Sequence, residues 1–446
     1  MPLRVPASPV RSLLRKTITA GLQAADPFQA VLRAVSFTGA SLRVGRRRYD
    51  LSRYDRVIVI GAGKASARMA QALESLLGPR VDGGLVVVKR GHGTRTKRIE
   101  IAETGHPIPD RAGLRTGRRI KGMVEELTPR DLVIVALSGG ASSLLPAPPP
   151  GVSLAEKQRT TRLLLRSGAT IQEINVVRKH LSVLKGGGLA ASTNATIVTL
   201  ILSDVIGDDL GSIGSGPTAA DPSRFADAIA VLRRYKIWNR IPESVRRHLR
   251  GGRRGLVPET VKPGARLLRR VHHEIVGNNR LMLAAAADAA QRAGFRTILL
   301  STAITGEAQE AARRWAALAH LIASGNKPPL RRPCCVVAGG ETTVTVTGRG
   351  KGGRAQEFAA AAALGIAGLP KVWAAALGTD GTDGPTDVAG AVVSGGTAAV
   401  ARMMGVDLRR ALKRHDTYPA LQALGCHIAT GPTGTNVNDL YLLLLP

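Results

Sequence analysis

An α/β protein of two domains, the first built on a doubly wound, mostly parallel sheet, is what three features of the chain predict. The length of 446 residues is about three times that of a typical domain, so more than one core is expected. Short apolar, β-branched runs recur along the chain. Each ends in a Gly, Ser or Asp turn and gives way to helical periodicity, the pattern of parallel strands covered by helices. Composition supplies the third: 44% hydrophobic and 21% charged residues provide material for packed cores and exclude disorder as a class.

The elements follow in order. Leu13, Leu14, Ile18 and Leu22 recur at helical spacing ahead of AADPFQAVLRAV. The basic, Ser/Thr-bearing N-terminus therefore reads as a mature amphipathic helix and not as a transit peptide. Val57-Ile58-Val59-Ile60 is a strand, Gly61-Ala62-Gly63-Lys64 a turn, and SARMAQALESLL a helix. Further strands are expected at 83–91, at 131–137 running into Ser138-Gly139-Gly140-Ala141-Ser142-Ser143, and at 196–203 ending on Asp204. Residues 251–265, GGRRGLVPETVKPGA, have no periodicity and read as a linker. Beyond it, LMLAAAADAAQRAGF predicts a helix closed by Gly294, and TILLS a strand. In 334–348 a buried strand gives way to Thr/Val alternation, which predicts an antiparallel element and hence a mixed second sheet. GRGKGGRAQEF opens a helix, VWAAAL is a strand entering an acidic loop, and LYLLLLP is a buried strand. The expected division is 1–250, a linker at 251–265, and 266–446.

The charge is the outlying quantity: 63 Lys and Arg against 32 Asp and Glu leave +31. Such a balance favours anionic partners. Aromatic residues are only 3%, too few for a base-stacking surface, and the basic residues are spread along the chain. Nucleic-acid binding is therefore expected to be nonspecific at most. Three cysteines, Cys334, Cys335 and Cys426, form neither a disulfide framework nor a zinc pattern, and suit a reducing cytoplasm. No apolar run approaches the roughly 18 residues needed to span a bilayer.

Several loops could carry chemistry. Gly61-Ala62-Gly63-Lys64-Ala65-Ser66 fails as a dinucleotide fingerprint at Ser66, and fails as a P-loop because Ala65 follows Lys64. What remains is a glycine turn that lets backbone approach an anion at a helix N-terminus, with Lys64 as a point charge. Ser138, Gly139, Gly140 and Ser142 belong to a second such loop, and it lacks the GxSxG spacing of a nucleophile elbow. His106 and His180 are present, but the sequence places neither near a serine. Asp204, Asp208 and Asp209 form one acidic loop, and Asp380 and Asp383 lie in another. Carboxylates in this number suit Mg²⁺ held jointly with substrate phosphates, and equally suit Asx-turns. Arg349, Lys351 and Arg354 sit in a glycine loop fit to clamp phosphate or carboxylate, and Asn438 lies in a polar turn near the C-terminus. Basic and acidic loops at strand ends are the parts that phosphoryl transfer with Mg²⁺ requires.

The strings GAGKAS, HPIPD, SGGASSLL, NVVRKHLSVLKGGGLA, SDVIGDD, SGPT, GGRAQE, GTDGTDGPTD and TGPTGTNVNDL resemble the glycerate 2-kinases that carry an N-terminal kinase domain and a C-terminal MOFRL domain. The match spans nearly the whole chain in order. The resemblance implies a Rossmann-like kinase domain, a smaller mixed α/β MOFRL region at about 334–440, and an active site in the cleft between domains. It implies conversion of D-glycerate to 2-phosphoglycerate with ATP and a divalent metal such as Mg²⁺, with Lys64 and Arg354 essential. Gly61, Gly63, Ser138, Gly139, Gly140, Ser142, Arg349 and Asn438 are then candidates for substrate and phosphate binding. The metal falls to some of Asp204, Asp208, Asp209, Asp380 and Asp383, and Asp204 is the candidate acceptor of the hydroxyl proton. The family has Asn after the GGR arginine, where this chain has Ala355. An NAD(P)H-dependent hydroxypyruvate reductase is the alternative reading, and the oligomeric state, a homodimer included, stays open.

Overall fold

The computed structural model describes residues 3–324 and 330–446. The chain divides into two compact units, Pro27–Val276 and Met1–Asp26 with Gly277–Pro446. In this division the first helix goes with the C-terminal unit, and residues up to Val276 with the N-terminal one. The reason at the N-terminus is packing. Arg11–Ala25 buries Leu13, Leu14, Ile18 and Leu22 and lies against the helix Asn279–Arg292.

Within Pro27–Val276, strands β1 (Val35–Thr38), β2 (Ser41–Val44) and β3 (Arg47–Asp50) form a small antiparallel meander. Its polar, Arg-rich sequence gave no apolar run to detect. The main sheet contains β4 (Arg56–Ala62), β5 (Gly83–Lys89), β6 (Ile99–Thr104), β7 (Asp131–Ser138), β8 (Thr196–Leu202) and β9 (Val271–Gly277). Their spatial order is β6-β5-β4-β7-β8-β9, and β6 through β8 pair in parallel. Chain progression reverses between β4 and β7, so a crevice for ligands opens at their carboxyl ends. β7 is buried along its whole length and β4 almost so, which explains why these strands read as continuous apolar runs.

The expected linker begins inside a helix. Glu243–Arg253 is helical, its Glu243 meeting Arg246 and Arg250 one and two turns on, so only the later part of 251–265 is irregular.

The other unit holds β10 (Arg296–Ile304), β11 (Cys334–Gly340), β12 (Trp373–Gly378), β13 (Gly390–Ser394), β14 (His427–Ile428) and β15 (Asp439–Leu445), ordered β10-β11-β15-β12-β13-β14. The sheet is mixed as expected, but for another reason. The Thr/Val alternation after Gly340 forms no strand; Thr343 makes only an isolated parallel bridge to Glu307. The antiparallel partner of β11 is β15, whose seven residues are all buried at the sheet centre. The alanine-rich helix Arg354–Gly365 packs on this sheet, and Ala355 is fully buried in the shared apolar cluster. All three cysteines are buried and unpaired. No helix among the described residues is long and apolar enough to cross a membrane.

Candidate active site

In the first unit, β4 and β7 approach so closely that Gly61 and Gly63 are needed for packing. A Cβ on Gly61 would stand 2.4 Å from the Ala136 carbonyl oxygen, and one on Gly63 would stand 2.1 Å from Ser138 Oγ. The N–H groups of this turn are spent internally. Gly63 donates to the Val87 carbonyl (3.1 Å), Lys64 to the Gly139 carbonyl (2.9 Å) and Ser66 to the Gly63 carbonyl (3.2 Å), while Ala65 donates to Ser138 Oγ (3.1 Å). Gly61, Gly63 and Ser138 therefore have a packing role in this turn. Ser138 is fully buried, and its hydroxyl is shared with Ala65 and Ser66. What the turn offers a ligand is the half-buried Lys64 side chain.

The second loop carries the open surface. Gly140 has φ +86, and a Cβ there would lie 3.0 Å from His106 Nε2 and 3.4 Å from Lys64 Cγ. Among the described residues, its N–H makes no hydrogen bond. Asp204, at the end of β8, reaches the same place: a Cβ on Gly139 would meet Asp204 Oδ2 at 2.1 Å. His106 and Lys64 thus lie against Gly140, and Asp204 against the neighbouring Gly139, on the loop that follows β7. Burial and the nearby charges of Lys64, Lys89 and His92 push the His106 imidazole down to about 4, so it is neutral at pH 7. Sequence reasoning saw His106 and had no means to place it. Ser142 is half-buried, with its Oγ 2.8 Å from Ser215 Oγ. Replacing Gly139 by Ala is expected to displace the Asp204 carboxylate and lower kcat by about 10²-fold with little change in Tm, since a misplacement of ~1 Å has that effect on chemistry; steady-state rates and a thermal melt check both.

In the second unit, Arg354 opens its helix beside a cavity of about 450 Å³ that also reaches Glu357, Asp380, His415 and Asp439. Its guanidinium donates through Nε and Nη2 to both oxygens of Asp439 (2.8 and 2.9 Å) and through Nη1 to Glu341. One N–H on each terminal nitrogen remains. Asp439 is fully buried, which drives its carboxyl up to about 7 against the pull of Arg354, and Tyr441 Oη donates to it at 3.1 Å. Asp439 was not among the expected site residues, although an acid opening the apolar run DLYLLLL is a signal for one.

The remaining candidates divide. Asp383 is the N-terminal anchor of the helix, accepting from the Ala355 and Gln356 N–H groups (3.1 and 2.8 Å) and from Gln356 Nε2 (2.9 Å). Asp209 closes its own turn onto the Gly211 N–H and Ser212 Oγ. Asp380 holds the Thr382 N–H at 3.1 Å and borders the cavity. Asp208 is half-buried at φ +56. Asn438 is buried, and its carbonyl accepts from Thr379 N–H and Oγ1 (3.1 and 2.6 Å), which gives it a structural task. Arg349 is exposed and does not border the cavity. Among the described residues, no three His, Cys, Asp or Glu side chains converge as a metal site. Mg²⁺ needs no such convergence when substrate phosphates and solvent supply most of its ligands, and the carboxylates at hand are the hard oxygen donors it takes. At position 355, the side chain faces the apolar core, so packing occupies the place of a polar contact.

Comparisons with known proteins agree with this architecture. Residues 13–250 match a family described as a domain of unknown function (DUF4147), and residues 334–439 match the MOFRL family. A glycerate 2-kinase of Pyrococcus horikoshii is 41% identical over 98% of both chains. A protein of Agrobacterium vitis provisionally named a hydroxypyruvate reductase is 42% identical over 98% of this chain and 94% of its own. The crystal structure of a glycerate kinase from Thermotoga maritima superposes with a TM-score of 0.87 at 40% identity, covering 98% of this chain and 99% of that one.

Proposed function

Since the chain belongs to the glycerate 2-kinase family, we propose that it transfers the γ-phosphoryl group of ATP to the 2-hydroxyl of D-glycerate. The observation that carries the reading is the loop after β7, where Lys64 lies against Gly140, whose N–H is unspent among the described residues, and the Asp204 carboxylate against Gly139. Transfer passes through a loose transition state with charge spread over the phosphoryl oxygens, so positioning and fixed charge supply most of the catalysis. Lys64 and the Gly140 N–H stabilise that charge, and Asp204 accepts the proton from the 2-hydroxyl; in the other unit, Arg354 keeps two N–H groups for an anionic ligand. Mg²⁺ bound to the nucleotide would neutralise its phosphates, with Asp208 as the protein carboxylate. The cytoplasm suits this assignment, given three reduced, buried cysteines. The reductase reading loses support, because the first glycine turn spends its N–H groups internally and has none for a pyrophosphate.

The test couples the protein, ATP, Mg²⁺ and D-glycerate to enolase and pyruvate kinase without phosphoglycerate mutase. Signal without mutase is expected and marks 2-phosphoglycerate. Signal only after mutase is added means 3-phosphoglycerate and a different acceptor hydroxyl. ATP left unconsumed, with NADH oxidised by hydroxypyruvate, would replace the kinase by the reductase.

A further inference from the structure

Three cations stand together inside the first unit with no carboxylate to answer them. Lys157 and Lys185 are buried and Arg178 is half-buried. None forms an ion pair among the described residues, whereas the adjacent Lys179 meets Asp221 at 3.3 Å. Lys185 Nζ donates to the Ser142 carbonyl at 2.8 Å, and Lys157 Nζ to the Leu181 carbonyl. Burial, together with the neighbouring positive charge, lowers the proton affinity of both lysines, Lys157 to about 7. Desolvated cations without a counter-charge are unfavourable, and an anion from outside would relieve them.

The cluster borders the loop that follows β7. Asn175 and Arg178 are three residues apart on the helix Ile171–His180, so they share a face. Asn175 Oδ1 accepts from Ser215 Oγ at 3.3 Å, and Ser215 Oγ lies 2.8 Å from Ser142 Oγ. Ser142 is two residues beyond Gly140, which adjoins Lys64. A chain of hydroxyl and amide groups thus runs from the helix face that carries Arg178 to the loop after β7, which also holds Gly140.

We infer that Arg178 and Lys185, with the Ser142–Ser215–Asn175 chain, bind the carboxylate of the acceptor substrate. The inference rests on the phosphotransfer reading above. In a 2-hydroxy acid the carboxylate carbon is bonded to the carbon bearing the reacting hydroxyl, so the carboxylate site must adjoin the phosphoryl site. The planar fork of an Arg matches a carboxylate, while Lys64 in the glycine turn is a point charge suited to phosphate.

Arg178→Gln is expected to raise the KM for D-glycerate by about 10- to 100-fold, the effect of truncating one partner of a charge-assisted pair, and to leave the KM for ATP within about twofold. Discrimination between D-glycerate and its uncharged amide should fall by the same factor, and Arg178→Lys should restore part of it. Tm should hold or rise, because an uncompensated cation is removed. An unchanged glycerate KM and amide discrimination overturns the inference, as does a rise confined to the ATP KM, which would make the cluster a phosphate site. Calorimetry with D-glycerate alone separates this from the kinase reading. Binding by the wild type that is lost in Arg178→Gln upholds the carboxylate site even without turnover, and no binding by the wild type rejects it.

Discussion

Lys64→Ala lowers kcat by about 10²–10³-fold, equivalent to ~2.7–4 kcal/mol of transition-state stabilisation, the range found on removing one preorganised donor to developing charge. The fold should survive. The turn is held by its main chain: the Lys64 N–H donates to the Gly139 carbonyl at 2.9 Å, and its carbonyl pairs with His92 Nδ1 at 3.1 Å. Truncation beyond Cβ disturbs neither. Circular dichroism and Tm should match the wild type while the coupled assay loses its rate. Because the charge is used chiefly in the transition state, kcat and kcat/KM for ATP should fall together. A kcat within a fewfold of wild type removes Lys64 from the mechanism.

Arg354→Ala has an effect on stability as well as on rate, and the two can be separated. Asp439 is fully buried and takes both oxygens' charge-assisted bonds from Arg354. Deleting one partner of a buried pair costs about 3–5 kcal/mol, less whatever is recovered when Asp439 takes up a proton. The sign of the pH dependence follows. Burial already raises the Asp439 carboxyl to about 7, above its unfolded value of about 3.9, so the folded state binds the extra proton and stability falls as pH rises through that window. In the wild type the fall ends near 7. Without Arg354 the carboxyl moves higher, so the Tm gap between variant and wild type should widen from pH 6 to pH 8. Arg354→Lys keeps a cation beside Asp439 but loses the fork that binds Asp439 and Glu341 while presenting two further N–H groups. It should lose about 10²-fold in kcat with a Tm within a few degrees of wild type. A rate equal to wild type in Arg354→Lys would reduce Arg354 to a structural counter-ion.

The strands at Val57–Ile60, Asp131–Leu137 and 196–203 were legible because a strand buried on both faces must be apolar without interruption. The helix at Leu13–Leu22 was legible because its buried stripe repeats at helical spacing. The meander Val35–Asp50 and the edge strands Ile99–Thr104 and Val271–Gly277 were not, since partly exposed strands carry polar residues that imitate loops. Thr/Val alternation after Gly340 misled for the opposite reason: β-propensity does not supply a pairing partner, and β11 had already found one in β15.

Charge and loop position were legible in the chain and picked out Lys64, Arg354 and Asp204 as candidates, while the essential role of Lys64 and Arg354 is what the family resemblance implies. The tertiary structure decided what each glycine and carboxylate does. Gly61 and Gly63 serve the contact between β4 and β7, because no side chain fits between the two strands. Asp383 anchors a helix, because the first N–H groups of Arg354–Gly365 need an acceptor. His106, Asp439 and the Arg178–Lys185 pair join the crevices through contacts between residues far apart in the chain. Local sequence sets propensity and charge, but a site is a coincidence of side chains in space, and only the packing of sheets and helices brings those together.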